Sequence, residues 1–407
     1  MSRGAPREGM NRKQYEADSC RNHEQRLSHP VILERLDNLT HSLFGLTLAR
    51  TPLSRAGHGT TAALLLASNA PDVDVILTAG GAANYLEFHR GPTHGPLGVI
   101  GLGFAVAGLV WVWLKRRDRN STEPPASFPM LWAVAMIGVI CHILMDLPTS
   151  YGTRPLSPFS WTWFAVDWMP IVDIYLLAIL GGCLWFARGG DVDPLRTQRR
   201  RRNAAIALTL MAVNYGVRGV SHEIAIARTS QVFGARLPAW CAQSVRPTTW
   251  GLDHWPRFPG TSPRDTAAER CLVEVAAVPD FISPFRWRLI AQLSNGYEMR
   301  DLDLLTESGL PRSGAEVRSL AVRVPNQWTP AVVRASAADV ARVFLGFSRF
   351  PAARSFVAED GTATVRWSDV RFIPGSLDDP RQFRRGLFGT TVILAPDGTI
   401  KESRLGP

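Results

Sequence analysis

Histidine and aspartate recur at the ends of apolar runs in this chain. They stand in Asn69-Ala-Pro-Asp72-Val-Asp74, His89-Arg90-Gly-Pro-Thr-His94, His142-Ile-Leu-Met-Asp146 and Asp167-Trp-Met-Pro-Ile-Val-Asp173. An ionisable group at membrane depth costs several kcal/mol, so it is rarely found there without a partner, an ion or a substrate. Imidazole mixed with carboxylate, and no thiol motif, is a donor set for a divalent metal. The imidazole share favours zinc over magnesium or manganese, which prefer more oxygen ligands. There are more donors than one ion needs, so one to three ions are expected. Two or more could clamp a phosphoryl or acyl oxygen.

His142 and Asp146 are four apart and share one helix face, with Cβ atoms about 6 Å apart. One ion can take both, or Asp146 can orient the imidazole; a buried His–Asp hydrogen bond tying helices together is the plainer alternative. Asp72 and Asp74 follow Pro71, which stops the preceding helix. Both can point at one cation, Asp72 being the better ligand, or they form a polar helix end. His89 and His94 flank a Gly-Pro turn and can chelate one ion, while Arg90 can meet an anionic group such as phosphate. The alternative there is a surface loop whose arginine meets lipid headgroups. Asp167 can cap a helix begun by Pro170. Asp173 lies inside an apolar run, where capping does not account for it, and is a candidate ligand or general base. His41 adds a further imidazole. His58, His222 and His254 lack such company and read as surface or interfacial residues.

The elements that must position these groups are membrane helices. Gly59–Leu77, His94–Leu114, Leu131–Leu147, Pro170–Ala187 and Asn203–Val220 are each close to the ~20 apolar residues a bilayer core demands. Leu36–Leu53, which carries Asp37, Asn38 and His41 at its start, is a sixth span or a half-buried helix, so five or six spans are expected. The basic loops Lys115–Arg119 and Arg196–Arg202, with the Arg50–Arg55 turn, should be cytoplasmic. All the His/Asp groups then lie at the outer face, and the C-terminal half is delivered to that side. Trp161, Trp163 and Trp168 suit an outer interfacial belt, and Trp111 and Trp113 an inner one.

The chain has 407 residues, of which 46% are hydrophobic, and a net charge of +10. Much of that charge sits in the two basic loops, which topology explains better than nucleic acid, so no nucleic-acid partner is expected. Residues 1–35 are polar and charged and read as a disordered extension. Residues 36–220 form the helical membrane domain and 221–407 a soluble extracytoplasmic α+β domain. In that domain Cys271–Val278, Arg286–Leu293, Tyr297–Leu302, Thr362–Trp367 and Leu387–Leu394 alternate as strands of a twisted, mainly antiparallel sheet. Ala335–Phe347 has helical spacing, and Asn295-Gly296 and Asp397-Gly398 sit where hairpin turns belong. The five cysteines form no CxxC pair. Outside the membrane, Cys241 and Cys271 could pair.

In order, Asp37-Asn-Leu-Thr-His41-Ser-Leu-Phe-Gly45, Asn69–Asp74, His89–His94, His142–Asp146, Tyr151-Gly152 and Pro158-Phe159 resemble the YdjM-like family of inner-membrane-associated metal-dependent hydrolases, also described as LexA-binding. The resemblance covers about Asp37–Ala187. It implies a membrane-embedded hydrolase whose metal set is His41, Asp72, His89, His94, His142 and Asp146. Gly95 stands where many relatives carry a small hydroxyl residue, which puts a hydroxyl role there in doubt. More remotely the pattern is similar to helical zinc-dependent phospholipase C and P1-type nucleases, which implies phosphoester substrates.

The expected function is therefore hydrolysis of a phosphoester or related bond in an amphiphilic substrate at the outer face of the membrane. Asp173 or Asp167 would accept the proton and Arg90 would steady the anion. The rivals are a transporter using the same groups as a relay, and a membrane-anchored interaction protein with a structural metal. A LexA-type regulator could reach only cytoplasmic loops or the N-terminal tail.

Overall fold

A computed structural model describes residues 37–117, 126–186, 194–234, 237–241, 253–254, 271–306, 322–327, 329–373 and 388–406. The expected extension 1–35 lies outside the described residues. Helix α1 spans 37–48. Helix α2 (Thr60–Ala67) is followed by a 3-10 segment, Ala70–Gly80, bent from it by 43°. The bend falls where Asn69 turns its side-chain amide back to the Leu65 carbonyl (2.8 Å) and Pro71 withholds a backbone donor. Then come α3 (Ala82–Phe88), α4 (Pro96–Arg117), α5 (Phe128–Asp146), α6 (Ile174–Trp185) and α7 (Pro194–Ala227).

Among the described residues three helices are long and apolar enough to cross a membrane: α4, α5 and residues 197–227 of α7; counting the bent pair as one span makes four. The remaining expected spans are shorter: α6 has 12 residues, and α1 ends at 48. The break at Asn69 and the cap at Asp173 use, for the site and for a hydrogen bond, residues that would otherwise have lengthened these helices. Helix α7 runs unbroken through the expected boundary at 220/221.

Helices α2, α4 and α5 pack around Leu64, Ala67, Val110, Leu131 and Val139. Gly138 permits the close approach, since a Cβ there would lie 2.7 Å from that of Ala67. The basic residues collect at one end. Lys115 Nζ lies 3.6 Å over the Trp111 ring, and Arg50 donates to the Leu184 carbonyl at the end of α6 (3.2 Å). Of the expected outer belt, Trp161 is exposed but Trp163 is buried, because the C-terminal domain covers it.

The short strands β1 (Phe164–Ala165) and β2 (Asp253–His254) pair antiparallel, and α8 (Thr229–Phe233) follows α7. Two four-stranded antiparallel sheets follow, where the sequence suggested one. The first is β3 (Leu272–Pro279), β4 (Arg286–Leu293), β5 (Gly296–Asp303) and β6 (Val322–Pro325), in that spatial order. Helices α9 (Pro330–Ala335) and α10 (Asp339–Phe347) precede the second, whose order is β10-β9-β8-β7. Its strands are β7 (Pro351–Val357), β8 (Ala363–Asp369), β9 (Gly389–Leu394) and β10 (Ile400–Leu405). Two helices replace the single one expected over Ala335–Phe347, because Ala338 adopts extended backbone between them.

The first sheet packs on the end of α7 through Ala225 and on α8 through Val232 and Phe233, which meet Val275, Trp287 and Leu289. The second sheet shares a core with Leu86, Tyr151 and Trp163 of the membrane domain. The soluble half is thus seated on the helical half.

Cys241 and Cys271 form a disulfide with Cα atoms 4.9 Å apart. With a sequence separation of 30, the bond should contribute ~3.5 kcal/mol by loop-closure entropy. Cys241→Ser is expected to lower the denaturation midpoint of the C-terminal domain accordingly. A variant melting with the wild type under non-reducing conditions would show that the bond does not form.

Candidate metal centre

The bend after α2, the loop before α4 and the end of α5 bring their polar residues to one place. Asp72, His94, His142 and Asp146 each offer a ligand atom, all within 4.8 Å of one another. His94 Nε2 and His142 Nε2 face each other at 3.3 Å, and Asp146 Oδ2 lies 3.2 Å from the first and 3.3 Å from the second. Asp72 Oδ1 is 3.4 Å from His142 Nε2 and 4.0 Å from His94 Nε2. A second group, Asp37, His41 and Asp146, meets the same distance limit. His41 Nε2 lies 3.4 Å from Asp146 Oδ1 and 3.5 Å from Asp37 Oδ1. Asp146 is therefore common to both, one oxygen turned to each group. The His41 and His142 rings stack at 3.9 Å and lock the groups together.

Outer contacts fix the imidazoles. His142 Nδ1 lies 2.8 Å from the Ser68 carbonyl, which only accepts. Nδ1 must carry hydrogen, and Nε2 is left to point its lone pair at the cluster. His94 Nδ1 is held by Thr93 Oγ1 at 3.0 Å. His41 Nε2 faces only the two carboxylates, and its buried Nδ1 has no hydrogen-bond partner among the described residues. Buried polar atoms are normally satisfied, and facing imidazole nitrogens with shared carboxylate oxygens are what a divalent cation would satisfy. The residues present fit such an ion.

Asp74 and His89 were expected as ligands, but the structure pairs them with each other, His89 Nδ1 to Asp74 Oδ2 at 3.1 Å. Neither belongs to the two donor groups. The same Asp74 oxygen accepts the Arg90 backbone N–H (2.9 Å) and so braces a residue with φ of 52°, in the left-handed region. The pair sets the turn that aims Arg90. The guanidinium reaches Asp146 Oδ1 (3.3 Å), Asp37 Oδ2 (3.4 Å) and the Gly152 carbonyl (3.1 Å), and lies 4.9 Å from the Tyr151 ring centroid. Burial alone would lower its pKa, but the carboxylates of Asp146, Asp37 and Asp72 outweigh burial and raise it, so the cation is permanent. Nearby Arg154 is packed on Trp163 and donates to the Glu87 carbonyl. Burial pulls its pKa down to about 10, which still leaves it protonated at neutral pH.

The two expected proton acceptors stand apart. Asp173 caps α6 by accepting the Leu176 N–H (2.7 Å) and pairs with Arg218 at 2.6 Å. Asp167 is bound to Arg349 of the C-terminal domain at 2.6 Å. The helix cap expected of Asp167 falls to Asp173, because α6 begins at Ile174 and not at Pro170. Asp37 was absent from the expected ligand set, although its spacing of four from His41 was the available signal. Asp37 and Asp72, 18% and 21% exposed in their side chains, are the donors that reach solvent, while the others are 2% or less.

Gly95 leaves no room for a side chain, because any Cβ would collide with the Ser157 carbonyl oxygen. Gly95→Ser is expected to cost about 3 kcal/mol through overpacking and to displace His94. A thermal melt and a metal titration read the two effects, and wild-type values in both would show that the Ser157 loop yields.

Residues 36–225 match a family model described as YdjM inner membrane protein. Over 134 residues the chain is 28% identical to the uncharacterized protein YfhP of Bacillus subtilis (strain 168), covering 32% of this chain and 38% of that protein. The chain thus spans well under half of that relative's length. No solved structure matches.

Proposed function

For a chain whose residues 36–225 carry the pattern of the YdjM inner membrane proteins, we propose metal-dependent hydrolysis of a phosphoester, or a related bond, in an amphiphilic substrate. The observation that supports it most is the pair of donor groups joined at Asp146. Asp72, His94, His142 and Asp146 would hold one divalent ion, and Asp37, His41 and Asp146 a second. Zinc suits the imidazole share. A divalent ion in such a site supplies Lewis acidity and an activated water.

The chain's own groups do the rest. Arg90 holds its positive charge beside the cluster and can pair with a phosphoryl oxygen. Asp37 or Asp72, the solvent-reaching carboxylates, accepts the proton as water forms its bond to phosphorus. The ester oxygen leaves with its electron pair and is protonated from solvent. Among the described residues the helices pack on an apolar core around Leu64, Val134 and Leu131, which favours this reading over transport.

The topology belongs to this reading. Basic residues at the end of α4 and in the first turns of α7 mark the cytoplasmic side, α1, the bent pair and α6 complete a multi-pass domain, and the centre opens to the outer leaflet. The Cys241–Cys271 bond favours the same oxidising side for the C-terminal domain.

Elemental analysis of detergent-purified protein, with a panel of soluble and lipid phosphoesters, tests it. The expected result is stoichiometric divalent metal and turnover abolished by chelation, with both lost in His142→Ala. Stoichiometric metal without turnover on any phosphoester would reduce the centre to a structural one.

A further inference from the structure

We propose that the turn joining β3 to β4 is a membrane wedge, by which the C-terminal domain inserts Phe281 and Ile282 among the acyl chains of the adjacent leaflet. This rests on the placement of α7 in the bilayer, and it stands whether or not the metal centre is catalytic.

The β3–β4 hairpin descends along α7. Ala225 of the helix packs with Val275 and Ala277. One turn back, the His222 ring meets Trp287, which pairs with Pro279 across the hairpin, at 5.4 Å between centroids. One turn further, Arg218 Nη1 donates to the Asp280 carbonyl at 3.4 Å. The turn is therefore the lowest part of this sheet, at the level of Arg218 and of Asp173, the ion partner of Arg218.

That level lies inside the apolar zone. Ile206, Leu210, Val213, Val217 and Val220 are exposed at alternating spacings of four and three, which is one face of a helix. From Arg202 to Glu223, the charged exposed residues that bracket this stretch, the rise is about 30 Å, the thickness of a hydrocarbon core. Arg218 is about 7 Å inside the Glu223 end. Its side chain, buried and paired, faces the protein and not lipid.

The turn is built to present its apolar residues. Asp280 Oδ1 accepts the backbone N–H groups of both Ile282 and Ser283 at 2.8 Å, so the acid is turned inward on its own loop. Phe281 is 48% and Ile282 66% exposed. A pair of large apolar side chains at a strand turn, level with a lipid-facing helix stripe, has acyl chains as its neighbours.

The test uses the full chain in nanodiscs, with Cys20→Ala, Cys141→Ala and Cys183→Ala removing the thiols outside the disulfide, which is kept intact. An environment-sensitive fluorophore is placed at Ile282→Cys, at Val220→Cys as the lipid-facing control and at Asp397→Cys as the aqueous control. At position 282 several-fold stronger quenching by nitroxide lipid than by iodide is expected, as at 220, with the reverse at 397. Iodide-dominated quenching at 282 would overturn the proposal. So would protection from both quenchers, which would mean that protein, such as a second copy of this chain, covers the turn.

Discussion

Asp146→Asn is expected to empty both donor groups at once. Each carboxylate oxygen serves a different set of imidazoles, Oδ1 facing His41 and Oδ2 facing His94 and His142. Losing a partner that merely orients a ligand costs 10–100-fold in metal affinity, so losing a shared ligand should cost ~100-fold or more. Arg90 would also lose its closest carboxylate in a buried site. An ion pair broken in that way costs about 3–5 kcal/mol. Two measurements separate these effects. In wild type, chelation should lower stability by ~4 kcal/mol if metal is present at about 1,000 times its dissociation constant. In Asp146→Asn, chelation should change nothing, because the linkage has already gone. Full metal content in the variant would show that the donor groups do not act through Asp146.

Asp74→Asn makes the contrast. Asp74 binds His89 and the Arg90 backbone and belongs to neither donor group. The variant is expected to keep its metal stoichiometry while losing affinity for inorganic phosphate, because the turn that aims Arg90 is loosened. Equal loss of metal in Asp74→Asn and Asp146→Asn would return Asp74 to the ligand set.

The contrast also shows what the sequence could carry. Periodicity and turn residues revealed where helices end, and the ends bring the donors together; His142 and Asp146 follow from a spacing of four. Three of the five expected strands have bounds within one residue of those observed, Ala363–Asp369 ends two residues beyond expectation and Gly389–Leu394 starts two residues late; alternation carries this much because it is a local property. Which acid faces the cluster is not local. Asp72 and Asp74 differ by two positions in a bent 3-10 segment, and only the tertiary path decides that one meets His142 and the other His89. Asp167 and Asp173 were misassigned for the same reason. Their partners, Arg349 and Arg218, are distant in sequence, and the spacing of an isolated acid cannot announce an arginine 182 residues away.

That distant arginine makes the second large effect. Arg349 binds Asp167 of the membrane domain through Nη1 (2.6 Å) and Glu274 of the first sheet through Nε (2.9 Å), and its backbone N–H meets Asp369 of the second sheet (3.2 Å). All three side chains in the ion cluster are close to fully buried. Arg349→Met would leave two buried carboxylates without their cation, for an expected loss of about 3–5 kcal/mol. The loss should appear first as undocking. Asp167 belongs to the same 148–169 connection that places Tyr151 beneath Arg90 and the Gly152 carbonyl on its guanidinium. Limited proteolysis in nanodiscs is expected to cut Arg349→Met within this connection, while wild type resists. The triple variant Arg349→Met, Asp167→Asn, Glu274→Gln should recover much of the stability, since neutral partners carry a smaller desolvation cost. If Arg349→Met alone melts like wild type and keeps its protection, the ion cluster does not hold the halves together. Docking would then rest on the aromatic core around Tyr151, Phe347, Phe372 and Phe388.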